Sequence, residues 1–188
     1  MGVPARLCRR EDSVLLVVDI QERLAAAMLP EAREQVIRNT GILLEAAARL
    51  GVPRFLSEQY PKGLGPTEAG VLAKSGDGLF RFEKTCFSCR GEEEFSAALR
   101  QTGRRQVVVA GMEAHVCVFQ TAMELHAEGY EVYVAGDAIC SRNLINRENA
   151  LDRLLQAGLV VTNTESVVFE WLRDSRHEQF RAISALVR

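Results

Sequence analysis

Three side chains in the sequence have the chemistry for covalent catalysis: a carboxylate, an amine and a thiol. Asp19 ends the apolar run SVLLVVD, Lys84 ends GLFRFEK, and Cys117 follows QVVVAG by six residues. A thiol beside a cation and a helix N-terminus has a lowered pKa, and a carboxylate can take its proton and return it to a leaving group. These residue types predict an acyl-transfer site with Cys117 as the nucleophile, Asp19 as the general base and acid, and Lys84 as the cation.

The hydrophobic pattern predicts the framework that brings these residues together. Short apolar runs alternate with amphipathic stretches, as in an α/β protein with right-handed crossovers between parallel strands. The predicted strands are 13–19, 52–58, 78–84, 106–111, 131–137 and 159–164, and the predicted helices are 30–50, 92–101, 118–127, 146–157, 165–172 and 178–187. The fold class is therefore a single-domain, Rossmann-like, six-stranded parallel sheet with helices on both faces. Ligands bind beyond the carboxyl ends of such strands, so Asp19, Lys84 and Cys117 are expected at one edge of the sheet.

Each of the three residues also has a purely structural interpretation. An aspartate at the end of a buried strand often caps the next helix, and a lysine can pack its aliphatic stem on the sheet. Most buried cysteines are inert thiols. Position along the chain alone leaves the catalytic and the structural interpretations open.

The composition excludes several classes of protein. The chain has 188 residues, 47% of them hydrophobic, and a formal net charge of -2, which is typical of one folded domain. This charge balance argues against a nucleic-acid partner, and no apolar run approaches the roughly 18 residues that suggest a membrane span. The basic N-terminal segment lacks the apolar region of a secretory signal. The odd number of cysteines, five, suits free thiols in a reducing compartment, so we expect a cytoplasmic protein.

Several segments resemble a known superfamily of enzymes. The segments LLVVDIQERL, FEKTCFSC and VVVAGMEAHVCVFQTAMELHAEGYEVYVAGDAICSR resemble the cysteine hydrolases of the isochorismatase-like superfamily. The segments SEQYPKGLGPT and TNTESVVFEWL are similar to one branch of it, the isochorismatase domain-containing proteins. The resemblance extends from residue 13 to about residue 186, and the order Asp, Lys, Cys with the motif G-x-E-A-H-V-C-V is specific.

The resemblance implies a fold and a set of site residues. It implies an isochorismatase-like hydrolase domain over 13–188, behind an N-terminal extension over 1–12, and assembly into a homo-oligomer. It implies the triad Asp19, Lys84 and Cys117, a cis peptide bond between Met112 and Glu113, and an oxyanion hole formed by the backbone N–H groups of Glu113 and Cys117. Amidases of this superfamily cleave a carboxamide through a thioester, which water then hydrolyses.

Two departures narrow the implied activity. Nicotinamidases of the superfamily bind a divalent metal through an aspartate and histidines after the second strand, whereas SEQYPKGLGPTEAG contains no histidine. Members that act on isochorismate lack the nucleophilic cysteine, whereas Cys117 is present. We therefore expect a hydrolase of a small carboxamide or a related C–N substrate that uses no metal and no other cofactor. The alternative is a weakly active or non-catalytic relative with an interaction or redox-responsive role.

The remaining predictions concern residues around this site. Cys86 and Cys89 have the C-x-x-C spacing of redox and zinc motifs, but no further zinc ligands are evident. We interpret them as two ordinary thiols, with a redox role as the alternative. The glycine-rich stretch 60–78 is predicted to be a long loop. Arg142 is expected to pair with an acid such as Asp137 rather than to bind substrate. Candidate pocket-lining residues are Gln21, Tyr60, Phe82, His115 and Phe119.

Overall fold

One parallel sheet of six strands organises the chain in a computed structural model that describes residues 7–188. Residues 1–6, the first half of the predicted N-terminal extension, lie outside the described residues. The strands are β1 (Ser13–Val18), β2 (Arg54–Gln59), β3 (Leu79–Lys84), β4 (Gln106–Met112), β5 (Glu131–Cys140) and β6 (Val160–Thr162). They lie in the order β3-β2-β1-β4-β5-β6 and every neighbouring pair is parallel. The predicted six-stranded α/β architecture is confirmed.

The helices and turns connect these strands in sequence order. The helices are α1 (Glu22–Ala26), α2 (Pro30–Arg49), α3 (Pro61–Leu64), α4 (Ala69–Leu72), α5 (Glu93–Gln101), α6 (Phe119–Ala127), α7 (Leu144–Gln156), α8 (Thr164–Leu172) and α9 (Phe180–Ser184). A 3₁₀ turn covers Cys89–Gly91, and a π-helical turn, Ala114–Val118, leads directly into α6. Within residues 7–188, none of the helices combines the length and the apolar character needed to cross a bilayer.

Strand β1 contributes side chains to a hydrophobic core on each face of the sheet. Leu15 and Val17 pack in one cluster with α2, α8 and α9, whereas Val14, Leu16 and Val18 pack in a second cluster with α5, α6 and α7. Successive side chains of a strand point to opposite faces, so a continuous apolar run is what a strand covered on both faces requires. The two clusters confirm that helices lie on both faces.

The strand order changes direction at β1, and this position defines the site. From β1 the chain builds outward through β2 to β3, then returns to add β4 on the other side of β1. The crevice beyond the carboxyl ends of β1 and β4 is a topological switch point, where open α/β sheets bind ligands. Asp19 follows β1 and Cys117 follows β4, so both residues lie at this crevice.

Two predicted segments differ from the observed structure. The stretch 60–78 contains α3 and α4, and Thr67 within it forms an antiparallel bridge with Gln21. Strand β5 extends to Cys140 rather than ending at residue 137, and its register with β4 shifts between Val109 and Gly111. The sequence pattern suggests that the strand ends at Asp137. In the structure the chain continues as a strand past Asp137, whose carboxylate accepts hydrogen bonds from the N–H and the hydroxyl of Thr164 at the start of α8.

Gly111 of β4 pairs with Val18 of β1 and leaves no room for a side chain. Its φ is 138°, and a Cβ built there would lie 2.0 Å from the carbonyl oxygen of Val18. We expect Gly111→Ala to lower the free energy of unfolding by about 3 kcal/mol or more, because backbone strain and overpacking each cost roughly 1–3 kcal/mol. Urea unfolding of the purified variant measures this loss.

The matched control is Gly103→Ala. Gly103 also has a positive φ, 67°, but nothing lies within 4 Å of a Cβ there. Its loss of stability should be about 1–2 kcal/mol, the cost of the left-handed conformation alone. Equal losses for the two variants would show that the contact with Val18 is unimportant.

Candidate active site

The ends of β1, β3 and β4 bring the three predicted catalytic residues together. Asp19 has a φ of 51°, in the left-handed region that aspartate tolerates better than most residues, and it turns the chain sharply after β1. Lys84 is the last residue of β3, and Cys117 lies on the π-helical turn after β4. The residue exposures are 0%, 2% and 5% for Asp19, Lys84 and Cys117. The group is therefore almost wholly shielded from water.

Both oxygens of the Asp19 carboxylate have a hydrogen-bond donor. The Ser57 hydroxyl donates to Oδ1 at 2.6 Å, and the Lys84 ammonium donates to Oδ2 at 2.6 Å. The side chains of Lys84 and Asp19 are each 0% exposed, so water screens their ion pair little. A buried charge is tolerated only when it is paired and hydrogen-bonded, and Asp19 meets both conditions.

Lys84 is held as an ammonium by oxygen acceptors. Besides Asp19, its Nζ donates to Gln59 Oε1 at 2.6 Å, to the Phe87 carbonyl at 2.9 Å and to the Cys86 carbonyl at 3.3 Å. Burial is the largest single effect and opposes the charge of Lys84, but the charge and hydrogen bond of Asp19, together with the nearby Cys89 and Cys117, outweigh it and raise the pKa of this amine. The amine therefore carries its proton throughout the neutral pH range.

The Cys117 thiol differs from the sequence-based expectation. Burial and, next, the negative charge of Asp19 raise its pKa, and a hydrogen bond to Asp19 acts in the same direction. Lys84 lowers the pKa of Cys117, but by less than these effects raise it. The predicted lowered pKa is therefore wrong, and Cys117 rests as a thiol next to a carboxylate that can accept its proton.

The turn before Cys117 has an unusual backbone. The peptide bond between Met112 and Glu113 is cis. The Glu113 carbonyl accepts hydrogen bonds from the N–H groups of Val116 at 3.1 Å and Val118 at 3.3 Å. The second of these bonds spans five residues, which is the π-helical pattern.

The side chain of Glu113 also has a partner, Arg142. The backbone N–H of Arg142 donates to the Glu113 carboxylate at 2.9 Å, and its Nε lies 3.1 Å from the same oxygen. Arg142 therefore pairs with an acid, as expected, but the acid is not Asp137, because Asp137 binds Thr164 and Asn39 instead. The Glu113 carboxylate is thus engaged by the segment that joins β5 to α7.

The five candidate pocket residues occupy different environments. Tyr60 lines a cleft of about 360 Å³ together with Lys84 and Thr85. His115 Nδ1 lies 2.9 Å from the Ser141 hydroxyl and its Nε2 lies 3.4 Å from the Asn146 amide. Of these two predicted lining residues, Tyr60 borders a cavity that reaches Lys84, and His115 is engaged by the chain around α7.

The other three candidates are packed into the structure. The Gln21 amide is fully buried and donates to the Gln59 and Gly65 carbonyls. Phe82 stacks on Phe95 with ring centroids 4.9 Å apart, and Phe119 lies 3.9 Å under the Arg153 guanidinium. These contacts give Gln21 and Phe82 positions inside the fold rather than on the wall of the Tyr60 cleft.

The two cysteines with C-x-x-C spacing, Cys86 and Cys89, follow Lys84 in the sequence and are separate free thiols. Cys86 donates to a Glu92 carboxylate oxygen at 3.3 Å, and burial raises its pKa. Cys89 is fully buried, its N–H donates to Thr121, and burial followed by the charge of Asp19 raises its pKa to about 12. Among residues 7–188, no group of three or more His, Cys, Asp or Glu side chains is arranged to hold a metal ion.

Comparison with known proteins identifies the family. A family model described as the isochorismatase domain matches residues 13–166. The chain belongs to the isochorismatase domain family. Isochorismatase domain-containing protein 2 of Danio rerio is 37% identical to the chain over 175 residues, which cover 93% of this chain and 86% of that relative.

Solved structures share the isochorismatase domain fold. The structure of the MAR1 ribonuclease from Caenorhabditis elegans has a TM-score of 0.89 and 32% identity, covering 95% of this chain and 91% of that one. The YcaC gene product of Escherichia coli is described as an octameric hydrolase of unknown specificity. Its structure has a TM-score of 0.88 and 27% identity, and the match covers 98% of this chain and 91% of that one. The predicted family and the hydrolase-like fold are confirmed.

Two site residues of this isochorismatase domain were missed by the sequence analysis. Ser57 and Gln59 on β2 contact Asp19 and Lys84 directly. The signal available was their two-residue spacing, which places two polar side chains on the same face of strand β2. Such a pattern inside a buried strand of the isochorismatase domain indicates partners at the carboxyl edge.

Proposed function

We propose that the chain is a cysteine hydrolase that uses no metal and cleaves a small carboxamide or a related C–N bond through a thioester on Cys117. The observation that carries this proposal is the buried ion pair of Lys84 and Asp19, 2.6 Å long and adjacent to the Cys117 thiol. A nucleophile with a base beside it and a cation orienting that base has the geometry of covalent catalysis. Family membership supports the hydrolase chemistry.

The first half of the proposed reaction forms the thioester. Cys117 Sγ attacks the carbonyl carbon of the substrate while its proton passes to Asp19, which removes the negative charge that had raised the thiol pKa. The oxyanion of the tetrahedral intermediate is held by the backbone N–H groups of Glu113 and Cys117. Asp19 then gives its proton to the leaving nitrogen, the C–N bond breaks, and ammonia or an amine departs.

The second half hydrolyses the thioester. Asp19 takes a proton from water as the water oxygen adds to the thioester carbonyl carbon, and a second tetrahedral intermediate forms. The C–S bond then breaks, Asp19 returns the proton to Cys117 Sγ, and the carboxylic acid is released. Lys84 keeps its three protons in both halves and stabilises the negative charge that moves between Asp19 and Cys117.

The test is ammonia release from a panel of small uncharged carboxamides. We expect one or more of them to release ammonia catalytically, and intact-protein mass spectrometry after an acid quench to show an acyl group on Cys117. An RNA oligonucleotide belongs in the same panel, since one structural relative is described as a ribonuclease. RNA cleavage without release of ammonia from any carboxamide would contradict the proposal.

Dialysis against EDTA tests the absence of a metal requirement in the same assay. We expect unchanged turnover, because the proposed steps use only Asp19, Lys84, Cys117 and backbone N–H groups. Loss of turnover after dialysis, followed by recovery with zinc or manganese, would show that a metal ion takes part.

A further inference from the structure

Strand β2 lies between the strands that carry Asp19 and Lys84. Its residues Ser57 and Gln59 are two apart, so their side chains lie on the same face of the sheet. Gln59 is the direct register partner of Lys84 on β3, and Ser57 is the partner of Val18, which precedes Asp19. The middle strand can therefore contact both charged residues of the triad from one face.

The orientation of the Gln59 amide is fixed by its two neighbours. Its Nε2 donates to the Thr85 carbonyl at 2.7 Å, and its Oε1 lies 2.6 Å from Lys84 Nζ. A carbonyl can only accept and an ammonium can only donate, so the reverse orientation of the amide would leave both contacts unfavourable. The oxygen of Gln59 must face Lys84.

The backbone of Gln59 is held separately from its side chain. Its N–H donates to Gln21 Oε1 at 2.7 Å, and Gln21 Nε2 donates back to the Gln59 carbonyl at 3.1 Å. Gln21 is fully buried and also binds the Gly65 carbonyl. A change to the side chain of Gln59 therefore leaves the hydrogen bonds that anchor its main chain.

The three protons of Lys84 already have oxygen partners. The contacts at 2.9 Å or less go to Asp19, Gln59 and Phe87. We infer that Gln59 is a positioning residue, which accepts one of these three hydrogen bonds so that the ammonium stays fixed beside Asp19 and acts on Cys117 through its charge alone. This inference rests on the proposed function, because it concerns the same thiol.

The groups around the ammonium decide what a charge at position 59 would do. Lys84 is faced by Asp19 from the end of β1, by Cys89 from the 3₁₀ turn and by Cys117 from the π-helical turn. Cys86, which also senses the charge of Lys84, follows β3. A carboxylate at position 59 would be a second anion on the same ammonium. It would offset the positive charge that favours the Cys117 thiolate.

The experiment measures alkylation of Cys117 by iodoacetamide at pH 8, followed by peptide mass mapping. Gln59→Glu should slow the alkylation of Cys117 by about tenfold or more, because an added like charge nearby shifts a pKa by one unit or more. Gln59→Met removes the hydrogen-bond acceptor without adding a charge and should also slow the alkylation of Cys117, by a smaller factor. Gln101→Glu, at an exposed position where α5 ends, adds the same charge elsewhere and should leave the rate unchanged.

A purely structural role for Gln59 gives a different result. In that case both Gln59 variants would lower the thermal unfolding midpoint while Cys117 in the folded protein alkylates at the rate of the wild type. That outcome, in either variant that folds, overturns the inference. Alkylation needs no turnover, so the absence of hydrolysis of any carboxamide by the wild type would count against the proposed function only.

Discussion

Cys117→Ser is expected to abolish hydrolysis of every carboxamide that the wild-type chain accepts, with a loss in kcat of roughly 10³-fold or more. A serine hydroxyl is far harder to deprotonate than a thiol, and Asp19 is a carboxylate rather than a strong base. The fold should persist, since the new hydroxyl keeps Asp19 as a hydrogen-bond partner and the change in volume is small. Turnover and the urea unfolding midpoint are the two measurements.

Cys8→Ala provides the matched control for Cys117→Ser. Cys8 is also a buried free thiol, but it bonds to the Ser13 hydroxyl at 3.1 Å at the amino end of β1, away from the crevice. This variant should lose some stability and keep its turnover per folded molecule. Wild-type turnover in Cys117→Ser would reject Cys117 as the nucleophile.

Lys84→Met should damage the protein in two separable ways. It leaves the buried Asp19 carboxylate without its ion-pair partner, which typically costs about 3–5 kcal/mol of stability. It also removes the cation that lowers the pKa of Cys117, so iodoacetamide should alkylate Cys117 at least about tenfold more slowly. Urea unfolding and peptide mapping at pH 7 measure the two effects.

The pH of the unfolding measurement follows from the pKa of Lys84. This pKa is raised in the folded chain, so the contribution of the ammonium to stability is complete below its unfolded-state pKa of about 10.4. The contribution is lost only as the pH rises through the still higher folded-state value. The comparison of Lys84→Met with the wild type therefore reports the full ion pair at pH 7.

A double variant separates stability from chemistry. Adding Asp19→Asn to Lys84→Met removes the unpaired charge, so much of the lost stability should return. Turnover should be absent in this double variant, because it lacks the proposed general base. Unchanged alkylation of Cys117 in Lys84→Met would instead show that Lys84 is a structural residue. The assignment of Lys84 as the cation of the site would then be wrong.

The catalytic candidates could be predicted because their positions follow from local patterns. The apolar run before Asp19 identifies a buried strand, and the charged residue at its end marks the edge of the sheet. The same reasoning applies to Lys84 after β3, and strand–helix alternation requires the ends to share one edge. Residue types and strand ends were enough to predict which side chains meet.

The partners of these residues depend on information that a local pattern lacks. Ser57 and Gln59 acquire their contacts because β2 lies between β1 and β3, and strand order is a property of the whole chain. The raised pKa of Cys117 depends on how deeply the thiol is buried and how close Asp19 lies. The sequence pattern predicts that the strand ends at Asp137, but β5 extends to Cys140. This extension brings Arg142 to Glu113.

Because β1 takes part in both hydrophobic cores, the active-site geometry next to it should be lost only on global unfolding. Segments that open in local fluctuations are those with few buried contacts, whereas a strand enclosed on both faces opens only when the whole molecule unfolds. Asp19 directly follows such a strand, and its carboxylate binds Ser57 of the adjacent β2 and Lys84 of β3, the next strand along the sheet. Fluctuations of the exposed connections should therefore leave Asp19, the proposed general base, in place for as long as the domain remains folded.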